Sequence, residues 1–237
     1  MDGNRRYAKK QQLSTKEGYK KGMEKFLHFV TLQVKYKIPQ TSFFALSNDN
    51  YVKRPLDEKK AIFELVKAFS ENKEIKEFFI EHKVHVHLRG DLKEIEKVEN
   101  KVSKFNKETI TNLKKELEEQ NSIIQKPQFT VNIALNYDGQ KEILHAIKEI
   151  GKKIEKGDMK SSSITQKTIK QNLWFNDSNS PEVIVRTGNA PRLSGFLLWD
   201  SEYSEIYLTK KLWPEMDEAD FVQINNWYKE QQRNFGK

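Results

Sequence analysis

The chain has no cysteine, so disulfide bonds and thiolate metal sites are excluded. It has no apolar run long enough to span a membrane and no recognisable signal peptide, so we expect a cytoplasmic protein that is at most peripheral to a membrane. Soft metal ligands are scarce, since there are only five histidines. His85 and His87 alternate within one strand-like segment. Because no third ligand is evident, they are more typical of a polar sheet surface than of a metal site.

Positive charge is in excess, with 42 Lys and Arg against 34 Asp and Glu and a formal net charge of +8. Such a balance favours an anionic partner: nucleic acid, anionic lipid or a phosphorylated small molecule. The lysines have acidic neighbours and form no single basic stripe, so we expect no nucleic-acid partner. The length of 237 residues, without a linker or repeat, predicts a single domain over residues 1–237.

Helical and strand-like patterns alternate along the chain. Strands are predicted at residues 41–47, 83–89, 129–135, 183–185 and 205–208. Helices are predicted at 14–37 (opened by a Ser14–Glu17 capping box), 57–80, 92–124 with a break near 104–108, 140–155, a short segment ending at 174, and 217–233. The alternation predicts an α/β domain with a mainly parallel central sheet flanked by helices on both faces. In such sheets, ligands bind in the loops beyond the carboxyl ends of the strands.

The loop after the 183–185 strand is the most informative of these loops. It carries Arg186 and Arg192, six residues apart, together with Gly188 and Ser194. A guanidinium fork matches phosphate oxygens with two parallel hydrogen bonds, and glycine allows backbone N–H groups to approach an anion closely. Taken alone, the segment fits either an anion pocket or an ordinary surface loop with solvated arginines.

Two further loops, residues 1–8 and 47–55, each combine a carboxylate, an asparagine and an arginine within a few residues. Together the three loops supply arginine guanidinium groups that can bind phosphate oxygens. They also supply carboxylates that can bind magnesium, which completes its coordination shell with phosphate and water. This set of arginines and carboxylates fits a diphosphate substrate better than the phosphate backbone of a polymer. Residues near the loops that would suit an apolar tail on that substrate are Tyr7, Phe43, Phe44, Leu46 and Tyr51.

In this order the loops resemble the cis-prenyltransferase family, whose type members are the undecaprenyl diphosphate synthases, a class of Z-isoprenyl diphosphate synthase. The matching motifs are Met-Asp-Gly-Asn-x-Arg at 1–6, the 47–55 loop, Arg-Thr-Gly at 186–188, Arg-Leu-Ser at 192–194, Phe-Leu-Leu-Trp at 196–199, Tyr-Ser-Glu-Ile-Tyr-Leu at 203–208 and Leu-Trp-Pro at 212–214. The resemblance spans the chain and is weakest from 92 to 126. The Asp-Asp pair typical of trans-prenyltransferases is absent.

The resemblance implies a Mg²⁺-dependent transferase that condenses an allylic diphosphate, farnesyl or geranylgeranyl, with successive isopentenyl diphosphates to a Z-polyprenyl diphosphate. Asp2 would bind the metal and help the diphosphate leave, and Asn50 would sit with Ser47 where the isopentenyl group loses its proton. Glu205 would complete the metal or arginine network. The expected substrate-binding residues are Gly3, Asn4, Arg5 and Arg6 for the allylic diphosphate, Arg186, Arg192 and Ser194 for isopentenyl diphosphate, and Tyr7, Tyr19, Ser47, Asn48, Asp49, Tyr51, Arg54 and Leu193 elsewhere around the pocket.

Several positions depart from the family pattern. Tyr19 stands where members carry a histidine, and a tyrosine does not transfer a proton near neutral pH. The tripeptide 189–191, Asn-Ala-Pro, replaces the usual Gly-Glu-x, and Asn234 lies in an altered C-terminal motif at 233–236. The segment 92–126 is longer than in most family members. It is either a solvated helical insertion or an added part of the lining of the product tunnel, which could permit a longer product.

Members also have an apolar strand immediately before the aspartate, whereas this sequence starts at Met1-Asp2. We therefore expect the first strand of the sheet to be missing or shortened, which would leave unpaired backbone groups inside the sheet. The resemblance implies a homodimer that contacts a membrane surface transiently to release its product. The alternative is a non-catalytic or weakly active subunit of a heteromeric cis-prenyltransferase. The altered C-terminus and the missing first strand argue for that alternative. The residues whose retention argues against it are Asp2, Asn4, Arg6, Asn50, Arg186 and Arg192.

Overall fold

The computed structural model describes residues 1–231 of the 237. The helices are α1 Asn4–Lys10, α2 Thr15–Lys35, α3 Asn48–Lys53, α4 Leu56–Ser70, α5 Lys73–Glu81, α6 Leu92–Ile95, α7 Lys101–Ile123, α8 Gly139–Glu155, α9 Gln166–Lys170 and α10 Glu218–Glu230. Short 3-10 turns cover Ser161–Ser163 and Trp213–Glu215. The strands are β1 Gln40–Ser47, β2 Val84–Arg89, β3 Phe129–Tyr137, β4 Val183–Arg186 and β5 Glu205–Leu208. This order confirms the predicted α/β class.

The strands form two parallel sheets where the sequence predicts one. In the larger sheet the order is β1-β3-β2, and in the smaller sheet β4 pairs with β5. Within residues 1–231 no backbone hydrogen bond joins β1 to β4, so each sheet ends in an open edge.

The central strand β3 is buried on both faces, as is typical of parallel strands covered by helices. Ile133 contacts the main hydrophobic core and its neighbour Ala134 belongs to a second, smaller cluster, because successive side chains point to opposite faces. The main core is formed largely by α2, α4, α7 and the sheet, with Phe26, Val30, Phe63, Ile110, Leu113 and Val131 among its buried members. The smaller cluster contains Tyr137, Phe175 and Leu197.

Three predicted helix boundaries are wrong, and asparagine caps explain two of them. The predicted 57–80 helix is two helices, because the Asn72 side chain accepts the N–H of Ile75 at 3.1 Å and starts α5. The break predicted at 104–108 lies at 96–100 instead, where Asn100 accepts the N–H of Ser103 and caps α7. The short helix expected to end at 174 ends at Lys170.

Ser14 and Glu17 form the predicted capping box. The 92–126 segment belongs to the fold, since α7 buries Ile110, Leu113 and Leu117. No helix among residues 1–231 combines the length and apolarity that crossing a membrane requires. The altered motif at 233–236, with Asn234, lies outside the described residues.

Candidate active site

A cavity of about 1480 Å³ opens at the carboxyl ends of β1 and β4. It brings together fourteen of the predicted site residues: Asp2, Gly3, Asn4, Arg5, Arg6, Tyr19, Ser47, Asp49, Asn50, Arg54, Arg186, Arg192, Leu193 and Ser194. Apolar side chains from α2, α4 and α7 also line it, among them Met23, Phe26, Ile62, Leu65, Val66, Phe69 and Leu113. The lining fits a ligand with an anionic head and an apolar body.

Asp2 lies at the centre of the positive end of the cavity. Its backbone is held by Thr187, whose Oγ1 accepts the Asp2 N–H and donates to the Asp2 carbonyl, both at 2.9 Å. The N–H of Trp213 donates to the same carbonyl at 2.9 Å. The carboxylate pairs with two guanidinium groups, Arg186 Nη2 at 3.1 Å and Arg6 Nη2 at 3.3 Å. The Asp2 carboxylate is therefore flanked by two cations.

Arg186 is the last residue of β4 and is fixed by its own loop. Its Nη1 donates to the Arg192 carbonyl at 2.8 Å and to Ser194 Oγ at 2.9 Å. Its Nε–H is buried and has no hydrogen-bond partner within residues 1–231. Since an unpaired buried N–H is costly, this group is positioned to donate to an anionic ligand.

The 186–195 loop follows a strained backbone path around Arg6. Arg6 Nη1 donates to the Gly188 carbonyl at 2.7 Å. Gly188 has φ +82°, a conformation that residues with a side chain rarely adopt, and a Cβ there would overlap Arg6 Nη2 unless that guanidinium moved. Asn189 and Ser194 also have positive φ, 58° and 52°. Asparagine tolerates this left-handed region better than most residues, which accounts for the first residue of the unusual 189–191 tripeptide.

Tyr19 connects the remaining arginines. Its hydroxyl donates to Glu58 Oε2 at 2.8 Å and accepts from Arg54 Nη1 at 2.7 Å. Arg5 Nη1 lies 3.7 Å from Glu58 Oε1, so Glu58 links both arginines. Burial raises the pKa of Tyr19 to about 12, and its hydroxyl therefore stays protonated at neutral pH. Like Arg186, Arg54 keeps a buried Nε–H without a partner in the described chain.

Comparison with known proteins decides the family. The profile of the undecaprenyl diphosphate synthase family matches residues 1–236. The chain belongs to the cis-prenyltransferase family. An isoprenyl transferase of Thermotoga maritima is 34% identical, with all of this chain matching 94% of that protein. A tritrans,polycis-undecaprenyl-diphosphate synthase of Picrophilus torridus, named as geranylgeranyl-diphosphate specific, is 32% identical, with all of this chain matching 87% of that protein.

Solved structures agree with this cis-prenyltransferase assignment. Lavandulyl diphosphate synthase from Lavandula x intermedia, in complex with dimethylallyl diphosphate, superposes with a TM-score of 0.87 at 25% identity over 100% of this chain and 95% of that one. An undecaprenyl diphosphate synthase from Campylobacter jejuni superposes with a TM-score of 0.70 at 30% identity, over 92% of this chain and 93% of that one. Family membership makes the chain a prenyl transferase.

Four predicted site residues of this cis-prenyltransferase do not line the cavity. Asn48 is buried, and its Nδ2 donates to Asn136 Oδ1 at 2.9 Å. Tyr51 packs on the Phe63 ring in the main core, and Tyr7 is half-buried on α1. Glu205 is the first residue of β5 and pairs with Val183, whereas Arg186 pairs with Leu208, three residues further along β5. Glu205 therefore lies toward the amino end of the small sheet, away from Arg186.

The junction of β1 and α3, where the sequence predicts a loop, places Asn50 through a helix cap. Ser47 Oγ accepts the N–H of Asn50 at 3.2 Å and starts α3. Both residues line the cavity. Asp49 also borders it but is paired with Lys53 at 3.1 Å on the exposed side.

Two site features were missed by sequence reasoning. Glu58 lies four residues after Arg54, a spacing that places both near the start of α4 and could have signalled the ion network. Gly22 faces Asn4, because a Cβ there would lie 2.2 Å from Asn4 Oδ1. With Gly18 it forms a glycine pair four residues apart on α2, a pattern that indicates close contact with another element.

Proposed function

We propose that this chain condenses an allylic diphosphate with successive isopentenyl diphosphates to form a Z-polyprenyl diphosphate. The observation that carries the proposal is a pair of buried guanidinium N–H groups, on Arg54 and Arg186, that have no partner within residues 1–231 and lie at the border of an apolar-lined cavity. Among the relatives, the Picrophilus torridus synthase is named as specific for geranylgeranyl diphosphate and the Escherichia coli synthase for farnesyl diphosphate. Either allylic starter fits the proposal.

The residues divide into two groups around the reacting carbons. Arg5, Arg6 and the residue 3–4 backbone bind the allylic diphosphate, while Arg186, Arg192 and Ser194 bind isopentenyl diphosphate. Their positive charge offsets the charge that grows on the departing diphosphate, and donors fixed in advance need no reorganisation. The apolar side chains of α2, α4 and α7 hold the growing chain away from water. Asn50, fixed by its cap on Ser47, stands where the isopentenyl proton leaves.

Magnesium belongs to the proposal, and the donor set fits it through Asp2. Mg²⁺ is typically held by one or two carboxylates together with substrate phosphates and water. Asp2 faces the cavity beside the proposed phosphate-binding arginines, and its side chain is 38% exposed. Bound there, the metal would offset negative charge on the diphosphate. Glu205 as a second metal ligand stays a prediction. Because Glu205 lies toward the amino end of β5, we favour Asp2 as the metal ligand.

The proposal includes a cytoplasmic homodimer that touches a membrane surface to release its product. An apolar face on the small sheet supports a second copy as partner. Ile206 and Leu208, which lie on the same face of β5, are each 47% exposed there. Apolar patches of this kind are typical of protein interfaces.

The divided sheet favours one alternative, a weakly active subunit that needs a different partner chain. The test is to purify the chain alone and supply Mg²⁺, labelled isopentenyl diphosphate and farnesyl or geranylgeranyl diphosphate in separate reactions. The proposal predicts label in lipid products, resolved by chromatography, with at least one starter. No incorporation by the folded chain alone, but incorporation with a second cis-prenyltransferase subunit, would support the alternative.

A further inference from the structure

Residues 136–139, which we call the β3 end, contact two separate segments of the candidate site. They comprise the last residues of β3 and the first residue of α8. On one side the β3 end bonds to the first turn of α3, which carries Asn50. On the other side it bonds to residues 195–197, directly after Ser194. It therefore lies between the two parts of the proposed isopentenyl diphosphate site.

The contact with α3 is a buried pair of side-chain amides. Asn48, the first residue of α3, donates from Nδ2 to Asn136 Oδ1 at 2.9 Å. Asn136 is fully buried, and its own Nδ2 donates to the Asp91 carbonyl at 2.9 Å, so both ends of its amide are held. Asn48 lies two residues before Asn50, whose N–H donates to Ser47 Oγ. The amide pair therefore fixes the turn that carries Asn50.

The contact with residues 195–197 has a backbone part and a side-chain part. The Gly139 N–H donates to the Gly195 carbonyl at 2.8 Å. The fully buried Tyr137 donates its hydroxyl to Glu142 Oε2, and the Leu197 N–H is directed at the same hydroxyl oxygen. The hydroxyl thus uses both its donor and its acceptor capacity, and it holds the backbone of this segment in one position.

Residues 195–197 in turn set the position of the proposed isopentenyl diphosphate pocket. Ser194 directly precedes them, and its Oγ accepts from Arg186 Nη1 at 2.9 Å. The same Arg186 nitrogen donates to the Arg192 carbonyl at 2.8 Å. A shift of this segment would therefore move both partners of the Arg186 guanidinium.

We propose that the β3 end fixes the distance between the isopentenyl diphosphate pocket and Asn50, with Asn48 and Tyr137 as the positioning residues on its two sides. This role rests on the proposed function, in which Asn50 stands where the isopentenyl proton leaves. Isopentenyl diphosphate is a short molecule, so its diphosphate and the carbon that loses the proton are separated by few bonds. A displacement of about 1 Å between the two protein segments can lower a rate about 100-fold.

Two variants each disturb one side of the β3 end. Asn48→Ala leaves residues 195–197 attached, so kcat should fall about 10–100-fold while KM for isopentenyl diphosphate changes less than about twofold. Tyr137→Phe leaves the Asn48–Asn136 bond in place and frees residues 195–197, so KM for isopentenyl diphosphate should rise about fivefold or more. An effect of Asn48→Ala on KM alone would overturn the proposal.

Asn121→Ala is the matched control for a general loss of stability. Asn121 Nδ2 donates to the Val86 carbonyl at 2.9 Å, and its Oδ1 accepts the Val86 N–H at 3.1 Å. This asparagine thus bonds the β2 backbone, and neither residue borders the cavity. The control should lose stability as Asn48→Ala does but keep kcat and KM. The same fall in kcat in both variants would overturn the proposal.

Hydrogen exchange tests the proposal without turnover. In Asn48→Ala the amides of α3 should exchange about tenfold faster, while those of Gly139 and Leu197 keep their rates. Tyr137→Phe should show the reverse, and either folded variant is sufficient. Faster exchange of both sets in one variant, or of neither set, would overturn the proposal. The expected exchange pattern in a chain that incorporates no isopentenyl diphosphate would contradict only the prenyl-transfer function.

Discussion

At the scale of single residues, two arginines of the site are fixed by hydrogen bonds and ion pairs to other protein groups. Arg186 is fixed by Asp2, Ser194 and the Arg192 carbonyl, and Arg54 by Tyr19. Each of these two arginines keeps one buried N–H without a partner within residues 1–231. The positions of the guanidinium groups are thus set before a ligand arrives, which lowers the reorganisation that binding requires.

Tyr19→Phe tests whether the hydroxyl positions Arg54 or transfers a proton. Removing it deletes the link between Arg54 and Glu58, so we expect KM for the allylic diphosphate to rise about tenfold with kcat changed little. Because burial raises the pKa of Tyr19 to about 12, the pH–rate profile from pH 6 to 9 should keep its shape. Tyr36→Phe is the matched control, since Tyr36 also donates to a glutamate, Glu218, on an exposed surface. Loss of an ionisation near neutral pH in Tyr19→Phe alone would contradict this account.

At the scale of elements, α1 lies against α2 through glycines. A Cβ at Gly22 would lie 2.2 Å from Asn4 Oδ1, and one at Gly18 would lie 2.7 Å from the Ala8 Cβ. This contact sets the start of α1, and with it the positions of Asn4 and Arg5 at the cavity. The short helix is therefore held by packing more than by its own hydrogen bonds.

Gly18→Ala should destabilise the chain, because the added methyl would meet the backbone carbonyl oxygen of Asn4 and the Cβ of Ala8, both at 2.7 Å, so that α1 must shift. We expect about 1–3 kcal/mol lower free energy of unfolding, measured by urea titration. Gly151→Ala in α8 is the matched control, since nothing lies within 4 Å of its Cβ position. That change should stabilise by about 0.5–1 kcal/mol through helix propensity. Equal effects of the two substitutions would show that the α1–α2 contact is not tight.

Local signals predicted most elements, and they failed where caps interrupt an apolar pattern. The Ser14–Glu17 box is a local feature and was predicted correctly. The helical periodicity of 57–80 continues across Asn72, so only the cap geometry shows the break. Asn48 was expected in the pocket, but it faces Asn136, 88 residues away, and such a partner cannot be inferred from the loop alone.

At the scale of the whole molecule, the cavity joins three loops that are far apart in sequence. The sequence could predict which loops meet, because the carboxyl ends of parallel strands share one side of a sheet. It could not predict that Glu58 links Arg5 and Arg54, since that depends on the relative placement of α1, α2 and α4. The division into two sheets likewise depends on pairing between distant strands.

Ile206→Lys tests the proposed homodimer. Ile206 is 47% exposed on the small sheet, and a charge there should weaken association of that apolar face. We expect light scattering to show a dimer for the unaltered chain and a shift toward monomer for the variant. Ile123→Lys, 62% exposed at the end of α7, is the control and should remain a dimer. A monomeric unaltered chain would contradict the proposed assembly.

The central claim is that the Asp2-centred end of the cavity carries out prenyl transfer. Its most direct test is the initial rate of labelled isopentenyl incorporation by the purified chain and by Asp2→Ala, with Asp158→Ala, on an exposed loop, as control. The account predicts Z-polyprenyl product from the unaltered chain and the control, and a loss of about 100-fold or more in Asp2→Ala. Full turnover by Asp2→Ala would contradict it.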